Sequence, residues 1–138
     1  MLGDRWSLLI IRDVMFFNLR EFGLLQRSGE GIATNVLADR LTRLESKGIL
    51  RKDPHPTHGR KFVYSLTESG IALAPMLVEL ALWSRQYMDN ATIPGPIYEM
   101  MVHDREGMLR KIRNGEPLLD LSGQRNDATS GNNRPAPL

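Results

Sequence analysis

The chain has 138 residues, enough for one domain with a modest core, and 41% of them are hydrophobic and 25% charged. It contains no cysteine, which excludes disulfides, thiol redox sensing, iron–sulfur clusters and cysteine-ligated zinc. The formal net charge is only +2, so bulk charge does not announce a polyanionic partner, and no apolar run approaches the roughly 20 residues that span a bilayer.

The distribution of charge says more than its total. Residues 20–62 hold nine Lys/Arg against five Asp/Glu, a local net of +4, while the remainder holds nine against eleven, a net of −2. A basic segment on a near-neutral chain fits a protein that meets phosphates with one face. No basic region followed by an apolar leader stands at the N-terminus. A cytoplasmic protein without a membrane partner is therefore expected.

In chain order, the first element is a helix over residues 4–17, where Trp6, Leu9, Ile10, Asp13, Val14 and Phe17 follow helical spacing. Asp4 stands where a carboxylate caps the first amides and meets the positive end of the helix dipole. A short helix over residues 20–28 follows, with Phe22, Leu24 and Leu25 turned inward. Ser28-Gly29-Glu30-Gly31 is turn chemistry. A third helix spans residues 33–47, its Leu37, Leu41 and Leu44 forming a narrow core stripe at i, i+4 and i+7. Asn35, Asp39, Thr42, Arg43 and Ser46 fall on the opposite side as a polar face, and Gly48 stops the helix.

Two strand-like runs come next, at residues 49–53 and 61–66. Between them lies a wing loop over residues 54–60, whose Pro54 and Pro56 keep it from pairing as a regular ladder. The basic pair Arg60-Lys61 stands at its tip. Thr67 caps a long helix over residues 68–89 with Ile71, Leu73, Leu77, Leu80, Ala81 and Trp83. Pro75 inside it marks a kink or a restart, since proline costs little in a first turn. Pro94-Gly95-Pro96 breaks the chain, and residues 97–113 read as one more amphipathic helix with Ile97, Met100, Met101, Met108, Leu109 and Ile112. Residues 123–138 are rich in Gly, Asn, Ser, Pro and Asp and are expected as a disordered tail.

A helix with a readable polar face beside a hairpin with a basic tip is the layout of a winged helix-turn-helix DNA binder. The fold class expected is mainly α with a small β-hairpin wing. Residues 1–90 form the DNA-binding domain, residues 91–122 a C-terminal helical extension that serves dimerisation, and residues 123–138 the tail.

Asn35, Asp39 and Arg43 form one line along the third helix. Asn pairs with adenine N6/N7, Arg with guanine O6/N7, and a carboxylate accepts from cytosine N4. The plainer reading is a solvated face in which Asp39 and Arg43 are an i, i+4 ion pair. Arg60 and Lys61 suit phosphates or a narrow minor groove, or else serve as gatekeeping charge beside a strand edge. His55 and His58 lack the spacing of a metal site and add polarity to the wing. No phosphate-cradling glycine loop, nucleophile motif or paired carboxylates appear, so an enzyme, a cofactor and a metal are not expected. Trp6, Phe16, Phe17, Met76, Trp83, Tyr87 and Met88 read as core or dimer interface. A Met-rich pocket between the helices of a dimer is a candidate site for a small-molecule effector.

The segment running from Gly3-Asp-Arg-Trp-Ser-Leu-Leu-Ile-Ile-Arg-Asp to Val14 resembles the first helix of the HxlR-type family of bacterial winged-helix transcription regulators. The resemblance continues through Arg20-Glu-Phe22, Gly31-Ile-Ala-Thr-Asn-Val-Leu-Ala-Asp-Arg-Leu41 and Leu44-Glu-Ser-Lys-Gly-Ile-Leu50, and closes with Val63-Tyr-Ser-Leu-Thr-Glu-Ser-Gly70. It covers roughly residues 3–88, and its motifs are individually weak but stand in order at the right spacing. The broader group is MarR-like. It implies a homodimeric regulator that binds double-stranded DNA, with the helix over residues 33–47 in the major groove and the wing over residues 54–61 on the backbone or in the minor groove. The residues implied are Thr34, Asn35, Ala38, Asp39, Thr42 and Arg43 on the helix, and Arg60 and Lys61 on the wing. Many members sense oxidants through a cysteine, which this chain lacks. Members usually carry a further helical segment ahead of the first motif that helps form the dimer. Here the chain opens almost inside that motif, so either the start is truncated or the dimer relies on other elements. The alternative is a winged-helix protein-interaction module without DNA readout.

Overall fold

A computed structural model of the chain describes residues 4–28 and 30–119. Its first helix, α1 (Arg5–Phe17), begins at Asp4, whose carboxylate accepts from the amides of Trp6 at 2.8 Å and Ser7 at 3.3 Å. It ends at Asn18, which takes the left-handed conformation that a short polar side chain tolerates. Ile10, Ile11, Val14, Met15 and Phe16 are buried, so most of the circumference of α1 faces the core. A buried polar step interrupts it at Asp13. Its carboxylate is held by Arg12 at 2.7 Å, and Arg12 reaches on to Glu30 at 3.2 Å. Burial pushes the Asp13 carboxyl up from its ordinary range, against the pull of the Arg12 charge.

The second helix, α2 (Phe22–Gln26), is only five residues long. Leu25 is buried and Phe22 half-buried, but Leu24 is exposed, contrary to the expectation that all three turn inward. Phe22 and Leu25 are three residues apart and share a face, whereas Leu24 points away from it. The third helix, α3 (Thr34–Ser46), buries Leu37, Leu41 and Leu44 as its stripe predicts. Its end is a full Schellman motif. Gly48 sits at φ 72°, its amide bonds to the carbonyl of Glu45, and the amide of Ile49 bonds to the carbonyl of Leu44 at 2.9 Å.

That stop delivers the chain directly into β1 (Leu50–Pro54), which pairs antiparallel with β2 (Phe62–Leu66). The ladder takes in Pro54, opposite Phe62, and continues through the bond from the amide of His55 to the carbonyl of Lys61 at 2.9 Å. Pro54 was expected to break the ladder and does not. Hydrogen-bonded and non-bonded pairs alternate, and with His55 opposite Lys61 bonded, Pro54 falls at the outward-facing position where no amide is needed.

Thr67 caps the short helix α4 (Glu68–Ile71), accepting from the amide of Gly70 at 3.1 Å. A Cβ at Gly70 would collide with the carbonyl oxygen of Ile49, so only glycine lets α4 lie against the start of β1. The fifth helix, α5 (Ala74–Tyr87), restarts with Pro75 in its first turn. The expected single helix over residues 97–113 is two, α6 (Gly95–His103) and α7 (Arg105–Arg113). Asp104 leaves helical geometry at φ −149° and caps α7 by accepting from the amide of Gly107 at 3.1 Å. The apolar spacing ran through the break because Met101 and Met108 enter one core from both sides of it. Residues 123–138, expected as a tail, lie outside the described residues, as do residues 120–122.

Asp4 also ties α1 to α3 through Arg40. Partial burial works against its charge, but the amides of Ser7 and Trp6 and the Arg40 guanidinium together hold its carboxyl below the usual value of 3.8. A lowered carboxylate contributes stability above its unfolded-state value and loses it as pH falls through the folded value. Asp4→Asn keeps a capping oxygen but no charge. The loss of melting temperature between about pH 5 and about pH 2 should therefore be smaller in Asp4→Asn than in the parent, as thermal melts monitored by circular dichroism would read.

Candidate nucleic-acid interface

One side of α3 carries polar and charged groups and one small apolar residue, Ala38. Thr34, Asn35, Ala38, Asp39, Thr42 and Arg43 are all exposed, while Leu37, Leu41 and Leu44 on the reverse are sealed in the core. The start of the helix is steadied from α2, because Gln26 donates to the Thr34 hydroxyl. Thr42 and Ser46 turn their hydroxyl hydrogens back to the carbonyls of Ala38 and Arg43, each at 3.0 Å, leaving their oxygens as acceptors. Among the described residues Asn35 makes no side-chain hydrogen bond, so its amide keeps two donors and an acceptor open to solvent.

Asp39 is the hub of the charged row. Arg43 approaches it at 3.1 Å, Arg40 shares the same oxygen, and Arg40 continues to Asp4. The i, i+4 ion pair is present, and it aligns the Arg43 guanidinium along the helix surface. Both partners are about half exposed, and pairs of that kind contribute little to stability.

The hairpin presents a second set. Arg51 is paired with Asp53 at 2.7 Å, and Lys52 lies 4.1 Å from the centre of the Phe62 ring. Arg60 and Lys61 are exposed and have no acidic partner among the described residues. The hairpin tip therefore holds two uncommitted cations, and its base holds committed ones. No ion pair or hydrogen bond links Arg60 or Lys61 to α3 among the described residues; α3 and the hairpin are coupled through the chain at Gly48 and through the core.

Two residues outside the expected set organise the wing. The backbone oxygen of Arg20 accepts from the amide of Tyr64 at 2.8 Å, and its guanidinium returns to the Tyr64 carbonyl at 3.2 Å and to the Ser65 hydroxyl. Next in sequence, Glu21 lies 2.9 Å from Nε2 of His55. Nδ1 of the same imidazole accepts from the amides of Thr57 and His58, each at 3.1 Å. A His two residues before a turn amide has the spacing of an Asx turn, a signal present in the sequence; the contact with Glu21 has no local signal.

Away from this face, Met76, Leu80, Trp83 and Tyr87 recur at i, i+4, i+7 and i+11 along α5, each 45–65% exposed. Met76, Trp83, Tyr87 and Met88 are thus outside the core. A groove of about 640 Å³ lies between α1, α5 and α6, lined by Phe16, Leu80, Tyr87, Met88, Ile97 and Met101 among others. Among the described residues no helix is long and apolar enough to cross a membrane, and no three His, Cys, Asp or Glu cluster as a metal would require.

The family model of HxlR-like helix-turn-helix proteins matches residues 1–92. An uncharacterized HTH-type transcriptional regulator of Mycobacterium tuberculosis is 36% identical over 94 residues, covering 68% of this chain and 58% of its own length. YvaP of Bacillus subtilis, also described as an uncharacterized HTH-type transcriptional regulator, is 33% identical over 88 residues, covering 64% of this chain and 81% of itself. The solved structure of the reduced form of the transcriptional regulator YodB from Bacillus subtilis superposes with a TM-score of 0.53 at 33% identity, over 64% of this chain and 85% of that one. The chain thus spans somewhat more than half the length of the mycobacterial relative.

Proposed function

The chain belongs to the HxlR-like helix-turn-helix family, and on that premise we propose that it is a sequence-specific DNA-binding transcription regulator acting as a homodimer. The observation that carries this reading is the two-sided character of α3. One face is committed to the core by Leu37, Leu41 and Leu44, and the other offers Asn35, Asp39 and Arg43 in a row with Thr34, Ala38 and Thr42 between them. Such a helix enters the major groove with its polar row against base edges. Asp39 holds Arg43 in line and discriminates against bases that offer it no donor. Arg60 and Lys61 meet phosphates or the minor groove beside it.

The exposed row on α5 supports dimerisation. A face bearing Met76, Leu80, Trp83 and Tyr87 is large for a free surface and suits a second copy of the chain. Two copies present two recognition helices to half-sites about one helical turn apart. Sedimentation at micromolar concentration should give a dimer, and Trp83→Glu should give a monomer; a monomeric parent would contradict this assembly. The groove between α1, α5 and α6 has the size and apolar lining to take a flat small-molecule effector.

The wing gives a separate expectation. Replacing Arg60 and Lys61 by Ala should weaken binding to all duplexes alike and flatten the dependence of affinity on salt, because phosphate contacts release counterions without reading bases. Titrations of cognate and scrambled duplexes at several salt concentrations check this. A changed sequence preference with an unchanged salt slope would assign the wing to base reading.

A further inference from the structure

Arg20 and Glu21 are adjacent in the link between α1 and α2, and they grip the hairpin at two levels. Arg20 takes both backbone groups of Tyr64, which stands opposite Lys52 in the ladder. Glu21 takes the imidazole of His55, one residue past the last strand pair. The base of the wing is therefore held to this link by a backbone bond and by the Arg20 guanidinium, and the tip is held to it by the contact between Glu21 and His55.

His55 uses both ring nitrogens. Nδ1 accepts the amides of Thr57 and His58, and a ring nitrogen that accepts two N–H groups carries no proton. The proton then sits on Nε2 and is donated to the Glu21 carboxylate at 2.9 Å. Beyond the turn, the amide of Lys61 bonds to the carbonyl of His58 at 2.9 Å and its carbonyl accepts from the amide of His55. The backbone of Lys61 is thus bonded to His58, whose amide the His55 ring holds, and to the amide of His55 itself. Both side chains are largely covered, His55 more than Glu21. Glu21 is also the N-cap residue of α2, yet its carboxylate makes no capping bond there and goes to His55 instead.

We propose that His55 and Glu21 are positioning residues for DNA binding, with Nδ1 of His55 building the wing turn and Nε2 locking that turn to the helix-turn-helix unit, so that Arg60 and Lys61 are presented in a fixed place. This rests on the DNA-binding reading. An untethered wing keeps its two charges but loses the geometry in which both meet phosphates, and each lost phosphate contact removes released counterions from the salt slope.

The two roles of the ring separate by substitution. In Glu21→Gln the amide oxygen still accepts from Nε2, while in Glu21→Ala the tether is gone. In His55→Asn the side-chain oxygen still accepts the turn amides, as in an Asx turn, but reaches no partner at Glu21. Both Glu21 variants remove the same negative charge, so any difference between them is not electrostatic attraction to DNA. The experiment is duplex titration over a salt series, together with hydrogen exchange of the Thr57, His58 and Lys61 amides in the free protein. Glu21→Gln should bind as well as the parent or better. Glu21→Ala and His55→Asn should bind about three- to tenfold more weakly than Glu21→Gln, with a shallower salt slope. The Lys61 amide should exchange faster in Glu21→Ala and be restored in Glu21→Gln. Glu21→Ala binding and exchanging like Glu21→Gln, beside a parent that binds DNA, would overturn the tether alone. A parent that binds no duplex would overturn the DNA-binding reading and the positioning role with it, while exchange would still report whether the tether exists.

Discussion

Asn35→Ala and Arg43→Ala each weaken binding to the cognate operator by on the order of 1–3 kcal/mol and relax preference at one or two base pairs, while leaving the fold intact. Neither side chain belongs to the core stripe of α3, and both stand exposed about two turns apart on one face. The two variants differ on non-cognate DNA. Asn35→Ala removes no charge and should leave non-specific affinity nearly unchanged. Arg43→Ala removes a cation and also frees Asp39, which then faces the phosphates with only Arg40 beside it. Non-specific binding should therefore fall in Arg43→Ala. Asp39→Asn makes the complementary change, and an Arg43 released from its ion pair should read bases with less discrimination, even where total affinity rises. Competition titrations against singly substituted operators would measure each of these.

Leu41→Ala carries the largest expected effect on stability. The residue is fully buried in one core cluster with Leu37, Leu44 and the buried residues of α1. Truncation leaves a cavity and should cost about 2–5 kcal/mol, a large part of the stability of a domain this size. Thermal melts should show the drop, and DNA affinity of the fraction still folded should be close to the parent. The contrast with Asn35→Ala, which should bind poorly and melt normally, separates the two faces of one helix.

Much of this architecture was legible in the sequence because it is periodic or capped. The stripe on α3, its stop at Gly48, the Thr67 cap and the fresh start at Pro75 each follow from a local rule that nothing in the tertiary structure opposes. The places where the sequence misleads are those where a local rule has two outcomes. Proline forbids a ladder bond only where its nitrogen faces the partner strand, and Pro54 faces away. Apolar spacing continues across Asp104 because α6 and α7 bury Met101 and Met108 in the same core, so periodicity conceals the break. The aromatic and methionine residues of α5 have core chemistry, but α5 has more apolar circumference than its neighbours cover.

The candidate site divides in the same way. The polar row of α3 and the basic pair of the wing can be read from residue type and spacing alone. The ion pair between Asp39 and Arg43 was equally readable as an i, i+4 pair, and it stands in the structure without deciding whether the row reads bases. The tether between His55 and Glu21 could not be read, because it joins residues 34 positions apart through a contact that exists only once the hairpin is folded with β2 beside the link from α1 to α2.

The measurement that tests the central claim most directly is a fluorescence-anisotropy titration of the parent chain at two salt concentrations. It would use duplexes from the DNA upstream of its own gene and of the divergent neighbour, with a scrambled duplex as control. The account predicts saturable binding to one upstream duplex, at least about a thousandfold tighter than to the scrambled control, with affinity for both falling steeply as salt rises. Equal and weak binding to every duplex, or none, would contradict sequence-specific recognition and shift the weight to a winged-helix module that binds protein partners through the same exposed faces.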